Sequence, residues 1–191
     1  MRSNNKVIVG ISGASGSIYG IRTLIRLKEL NYESYLVVSS SAWKVIESEL
    51  GYKKEDVINL ASKYYDEKDF TAPIASGSYP TIGMIIAPCS MKTVASIVNG
   101  ISDNLLLRAA DVCIKEKRPL VLMIRESPLS QIHLRNLYEL SKLPNVTVFP
   151  PLPAWYAKLK NIEEIVDQSV YRALRYIGIE DPNLKIWRGD E

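Results

Sequence analysis

The stretch Lys6-Val7-Ile8-Val9-Gly10-Ile11-Ser12-Gly13-Ala14-Ser15-Gly16-Ser17 decides the fold class of this chain. Its first half is β-branched and apolar without polar alternation, the pattern of a strand covered on both faces. Its second half is a Gly/Ser turn leading into a helical pattern. There Ile18, Ile21, Leu24 and Ile25 share one face, and Arg22, Arg26 and Lys28 point to the wet side. Strand, glycine turn and helix in that order open a parallel sheet.

The alternation continues along the chain. Tyr35–Val38 reads as the second strand, followed by a helix from Ala42 to Leu50. Ile82–Ala87, Leu120–Ile124 and Val146–Phe149 read as the third, fourth and fifth. The last long helix carries a stripe of Ile162, Ile165, Val166, Val170, Ala173, Leu174 and Ile177. Tyr64 to Pro80, with Pro73, Gly77 and Pro80, reads as a long loop over the sheet. The expected fold is α/β: a three-layer Rossmann/flavodoxin-like parallel sheet with helices on both faces. One domain is expected over residues 1–191, ending in a C-terminal arm of roughly residues 180–191.

Composition narrows the function. Hydrophobic residues make up 47% of the 191 and charged residues 24%, enough for a sizeable core. The 24 Lys and Arg against 21 Asp and Glu leave a scattered net charge of +3. That points away from nucleic acid and membrane surfaces. Cys89 and Cys113 lack CxxC spacing and His133 is the single histidine, so neither a disulfide scaffold nor a Cys/His zinc site is expected, nor any other metal. Val7–Ile11 is short for a secretory signal, Arg2 excludes N-myristoylation, and no apolar run reaches membrane-spanning length. The expectation is a soluble cytoplasmic protein with both cysteines reduced.

In sheets of this kind ligands bind beyond the carboxyl ends of the strands. Ser12–Ser17 follows strand one, Ser39-Ser40-Ser41 strand two, and Pro88-Cys89-Ser90-Met91-Lys92-Thr93 strand three. Arg125-Glu126 follows strand four, and Pro150 to Tyr156 strand five. Hydroxyls at three helix N-termini and one guanidinium describe a phosphate site. The glycines lack GxGxxG spacing and no Gly-Lys-Ser/Thr follows, so a flavin mononucleotide suits the loops better than a dinucleotide. Taken singly, each loop is equally an ordinary serine cap. Arg108, Asp111 and Lys115 share a face of the helix predicted over Asn104–Arg118, as a salt-bridge stripe also would. Glu49, Tyr156 and Arg172 read equally as surface or packing residues. His133, after Ser130, reads as a hydrogen-bonded structural residue, and Cys89 as a small buried one.

Gly10-Ile-Ser-Gly-Ala-Ser-Gly16, Pro88-Cys-Ser-Met-Lys-Thr93, Arg108-Ala-Ala-Asp111, Pro119-Leu-Val-Leu122 with Arg125-Glu126, Ile132-His-Leu134 and the segment reaching Tyr156 resemble the UbiX-type flavin prenyltransferases. The resemblance runs in order from Lys6 to Trp187. It implies transfer of a dimethylallyl group from dimethylallyl (mono)phosphate to N5 and C6 of reduced FMN, without metal. The product, prenylated FMN, would serve a partner UbiD-type decarboxylase. By the same resemblance Gly13, Ala14, Ser15, Ser39, Ser90, Met91, Lys92, Thr93 and Arg125 would contact FMN. Tyr156 and Arg172 would contact the prenyl phosphate, with Arg108, Lys115 and Glu126 around it. Ser15 and Glu49 would stand beside the reacting centre. A homododecamer with sites shared between subunits is implied too.

The chemistry fits these residue types. Arg108, Lys115, Arg125 and Arg172 would stabilise the departing phosphate. Glu49, if desolvated enough to be partly protonated, would hand the leaving group a proton and later remove one from the flavin. Phe70 stands where many relatives have Trp, and Trp187 is the aromatic that would cover the site. Two other readings compete: an FMN-dependent decarboxylase and a decarboxylase-associated FMN-binding subunit. The former needs an early histidine and an Asn motif after strand three, and Pro88–Thr93 contains no Asn. The latter needs no Glu49, Arg108, Lys115, Tyr156 or Arg172.

Overall fold

The computed structural model describes residues 5–189, so the last two positions of the expected arm lie outside the described residues. Its elements run β1 (Lys6–Ile11), α1 (Ile18–Glu29), β2 (Glu33–Val38), α2 (Ser40–Leu50), α3 (Lys54–Ile58), β3 (Lys63–Tyr65) and β4 (Gly83–Cys89). Then follow α4 (Met91–Val98), α5 (Leu105–Lys115), β5 (Leu120–Ile124), α6 (Gln131–Ser141), β6 (Val146–Phe149) and α7 (Ile162–Arg175). Short 3-10 turns lie at Pro73–Ala75 and Trp155–Ala157. The strands order as β3-β2-β1-β4-β5-β6, all parallel. This is the doubly wound order, in which the winding reverses between β1 and β4.

The apolar strand runs explain the three layers. Val7, Val9 and Ile11 of β1 face one way, with Leu36, Val38, Ile85 and Val121. They pack on Ile21, Leu24 and Leu27 of α1 and on Val170, Ala173 and Leu174 of α7. Ile8 faces the other way with Val37, Met84, Ile86 and Leu122, against Val94 of α4, Ala109 and Cys113 of α5, and Leu140 of α6. Each such aliphatic side chain stabilises the fold by about 1.5–3 kcal/mol when fully buried, so the two faces together set the architecture.

Three local expectations need correction. The Tyr64–Pro80 stretch is not all loop, because Lys63–Tyr65 pairs with Tyr35–Val37 as an edge strand. The strand predicted over Ile82–Ala87 runs on to Cys89. Ile162 is 73% exposed: as the first helical residue of α7 it precedes the stretch that meets the sheet. No helix among the described residues is long and apolar enough to cross a membrane.

Candidate functional site

The loops after β1 and β4 meet at the switch point through Ser12. Its buried hydroxyl donates to the Pro88 carbonyl and accepts from the Ser90 N–H, both at 2.8 Å. The Ser39 N–H, after β2, donates to the Ile11 carbonyl at 3.0 Å. Three strand ends are thereby held side by side. Ser90 caps α4, its Oγ accepting from the Thr93 N–H at 3.3 Å. Gly16 turns the β1–α1 loop with φ +98°, a conformation that favours glycine.

Between these loops lies a cleft of about 240 Å3, lined by Gly13, Ser39, Ser41, Ser90, Lys92 and Thr93. It is rich in hydroxyls and faces the N-terminus of α4, where free N–H groups and the helix dipole favour an anion, while the first N–H of α2 is taken by a carboxylate of the chain itself. Among the described residues Lys92 has no carboxylate partner within 4.0 Å, so its charge is available to a ligand. Gly13 keeps the floor open: a Cβ there would collide with the Ser41 hydroxyl. The donor set therefore fits a phosphate-bearing ligand such as FMN.

Glu67 and Asn104 also line the cleft, and the sequence reading missed both. The Glu67 carboxylate accepts from the Ser40 N–H at 2.8 Å and from the Ser40 hydroxyl, and Asn104 Nδ2 donates to it at 3.4 Å. Glu67 sits in the stretch read as a long loop over the sheet. Asn104 is the α5 N-cap, accepting from the Leu107 N–H at 2.9 Å, which was its only signal in the sequence.

Glu49 reaches from the end of α2 to the start of α1. Its carboxylate accepts from the Gly16 N–H at 3.0 Å, the Ser17 N–H at 2.9 Å and the Ser17 hydroxyl at 2.7 Å. Burial pushes its pKa up, but the Ser15 and Ser17 hydroxyls and the Ser17 and Gly16 N–H groups outweigh it and hold the carboxyl below its usual range. The condition set for Glu49 as a proton donor, burial strong enough to raise its pKa, is not met in this arrangement, because the four hydrogen bonds prevail over burial.

The remaining candidates stand elsewhere on the chain. Arg125 Nε donates to the Ser15 carbonyl at 3.3 Å, beside the β1–α1 loop. Glu126 Oε1 accepts from the Ser127 N–H at 3.0 Å. Arg108 donates to the Ala75 carbonyl at 3.0 Å and pairs with Asp111 at 2.7 Å, while Lys115 pairs with Glu116 at 2.5 Å. These two cations thus border the 73–79 loop rather than the cleft. Phe70, half exposed, lies in the turn before it. Ala14 and Met91 are buried, which leaves mainly their backbone for a ligand. His133 has a structural place: its N–H donates to Ser130 Oγ at 3.2 Å, and its Nδ1 accepts from the Ser130 N–H at 3.3 Å. Burial pushes the Cys89 thiol far up and that of Cys113 to about 12, so both are unreactive.

Tyr156 and Arg172 do come together, in a separate cavity of about 530 Å3 with Arg175, Tyr176, Lys185 and Trp187. The Tyr156 and Trp187 rings meet edge to face, centroids 6.2 Å apart at 71°. Arg172 has no carboxylate partner among the described residues, whereas Arg175 pairs with Glu180 at 3.6 Å. A cavity lined by a guanidinium and two aromatic side chains can receive an anion carrying a small apolar tail.

Comparison with known proteins bears on these cavities. The Flavoprotein family matches residues 1–174. A protein of Bacillus subtilis (strain 168), described as a probable UbiX-like flavin prenyltransferase, is 49% identical over 97% of this chain and 91% of its own length. The crystal structure of AnUbiX (PadA1) in complex with FMN and dimethylallyl pyrophosphate superimposes with a TM-score of 0.94 at 43% identity. It covers 98% of this chain and all of the other. A dodecameric FMN-dependent UbiX-like decarboxylase from Escherichia coli O157:H7 gives a TM-score of 0.92 at 45% identity, over 96% of this chain and all of the other.

Proposed function

This chain belongs to the UbiX-type flavin prenyltransferases, and from that membership we propose that it joins a dimethylallyl group to N5 and C6 of reduced FMN. It is a prenyltransferase and a flavoprotein. The observation that carries the reading is the near-complete superposition on a relative whose structure holds FMN and dimethylallyl pyrophosphate. The donor is taken to be the monophosphate, and the product to pass to a UbiD-type decarboxylase.

In this reading Gly13, Ala14, Ser15, Ser39, Ser90, Met91, Lys92, Thr93 and Arg125 hold the flavin. The hydroxyls and α4 N–H groups of the cleft receive its phosphate, with Lys92 neutralising it. The reduced isoalloxazine supplies the nucleophilic N5 and C6 positions. Tyr156 and Arg172 receive the donor, and Arg172 stabilises the negative charge that grows on phosphate as the allylic C–O bond breaks. Arg108, Lys115 and Glu126, which line neither cavity of this chain, serve the same phosphate from a neighbouring copy in a homododecamer. A dodecameric relative at 45% identity supports that assembly. Glu49, ionised and held by Ser15 and Ser17, takes the N5 proton as the first bond forms. Returned to the prenyl double bond, that proton makes the tertiary carbon electrophilic toward C6, whose own proton then leaves to the same carboxylate.

The test is anaerobic. Purified protein is incubated with reduced FMN and dimethylallyl phosphate, and the extracted flavin is weighed by mass spectrometry. A gain of one five-carbon prenyl unit is expected. Unchanged flavin with both the monophosphate and the diphosphate donor, while FMN still binds, overturns the reading.

A further inference from the structure

The described C-terminal arm after α7 has no regular secondary structure, yet three side-chain anchors hold it. Asp181, its side chain fully buried, accepts from Arg26 Nε at 2.6 Å and Nη2 at 2.8 Å. Gln168 of α7, 4% exposed, takes both edges of one residue in the arm. Its Nε2 donates to the Lys185 carbonyl at 2.7 Å, and its Oε1 accepts from the Lys185 N–H at 3.1 Å. Lys185 Nζ in turn donates to the Ala157 carbonyl at 3.3 Å, in the 3-10 turn that also carries Tyr156. Two residues beyond Lys185, Trp187 meets the Tyr156 ring.

We propose that Gln168 is a positioning residue for the prenyl-donor pocket: by holding the backbone of Lys185 it sets Trp187 on Tyr156, in the cavity that Arg172, one helical turn along α7, also lines. The inference rests on the assignment of Tyr156 and Arg172 to the donor. A buried primary amide suits this task because it offers one donor and one acceptor in a plane, matching the N–H and C=O of a single extended residue. A carboxylate or a methyl group in the same space leaves at least one backbone group of Lys185 without a partner. Since Lys185 is also bonded to Ala157, loosening it releases the turn and the arm together.

The experiment uses the full chain with Gln168→Met, Gln168→Glu and, as a control on the donor site, Arg172→Ala. Two quantities are read: the rate of tryptic cleavage after Lys185 in the folded protein, and KM and kcat for dimethylallyl phosphate. Gln168→Met is expected to speed cleavage and raise the donor KM by about tenfold each, as loss of two hydrogen bonds implies, with kcat and the KM for reduced FMN within about twofold. Gln168→Glu keeps the acceptor and falls between. It carries the test if the Met variant does not fold. Unchanged cleavage, or an unchanged donor KM while Arg172→Ala raises it, overturns the positioning role. Faster cleavage with no change in donor KM for either Gln168 or Arg172 variants removes the donor pocket itself, and the role with it.

Discussion

Glu49 and Ser17 meet through two hydrogen bonds on one carboxylate oxygen, the Ser17 N–H at 2.9 Å and its hydroxyl at 2.7 Å both donating to Oε2. The contact places an anion from the last turn of α2 at the first turn of α1, where unpaired N–H groups favour it. The same carboxylate that braces the β1–α1 loop is the only acid reaching that loop among the described hydrogen bonds.

Glu49→Gln keeps the shape but cannot take up a proton. FMN affinity is expected to stay within about threefold, because the amide oxygen still accepts from Gly16 and Ser17. Turnover is expected to fall by about 10²-fold or more, the scale of a lost general base. Single-turnover prenylation followed by absorbance measures it, and full activity in this variant removes Glu49 from the chemistry.

The pH dependence of stability follows from the same contact. The folded-state pKa of Glu49 is lowered, with hydrogen bonds from Ser15, Ser17 and Gly16 prevailing over burial. A lowered carboxyl favours the fold above its unfolded pKa, and the contribution is lost as pH falls through the folded value. The stability gap between wild type and Glu49→Gln is therefore expected to be full and flat above about pH 5 and to close below about pH 4. Urea midpoints measured across that range decide it; a gap that widens on acidification contradicts the sign.

Gly13 carries a steric prediction. An added Cβ collides with the Ser41 hydroxyl and comes within 2.9 Å of its Cβ, so Gly13→Ala must push the start of α2 outward. FMN affinity is expected to drop at least tenfold, with about 1–3 kcal/mol lost from stability as for other overpacked sites. Gly51→Ala is the control. Nothing lies within 4 Å of its added Cβ, so only the strain of its φ of +68° is felt, and FMN affinity stays unchanged. Isothermal titration with FMN separates the two.

How much of this was legible beforehand depends on what carried the signal. The strand β1 and the serines after β1, β2 and β4 were readable because a buried parallel strand and a helix N-terminus each constrain local residue type. Lys63–Tyr65 was not, since a three-residue edge strand paired on one side needs no apolar run. Glu67 joins the cleft only through its tertiary contact with Ser40, and nothing around it in the chain says so. The resemblance named Glu49 together with Ser15, and the two do meet, yet the lowering of its pKa comes from four donors whose convergence only three dimensions reveal. The separation of Arg108 and Lys115 from the cleft was equally invisible, because helical spacing shows which residues share a face and not what that face meets.

The Arg26–Asp181 pair offers an asymmetric test of the arm. Asp181 is wholly enclosed, whereas Arg26 is 13% exposed at its side chain and keeps a second partner, Glu29, at 2.7 Å. Removing the arginine strands a buried carboxylate, and removing the aspartate leaves a guanidinium that still has an acid and some water. Arg26→Met is therefore expected to cost about 3–5 kcal/mol and Asp181→Asn clearly less, near the low end of that range or below it. The asparagine also keeps an acceptor for the Asn183 N–H, now bonded to Asp181 at 2.8 Å, so the turn that starts the arm survives. Equilibrium urea unfolding of both variants gives the order. Equal losses would mean that Asp181 is not the desolvated partner, and a larger loss for Asp181→Asn would make the arm's own turn, rather than the ion pair, the source of its anchorage.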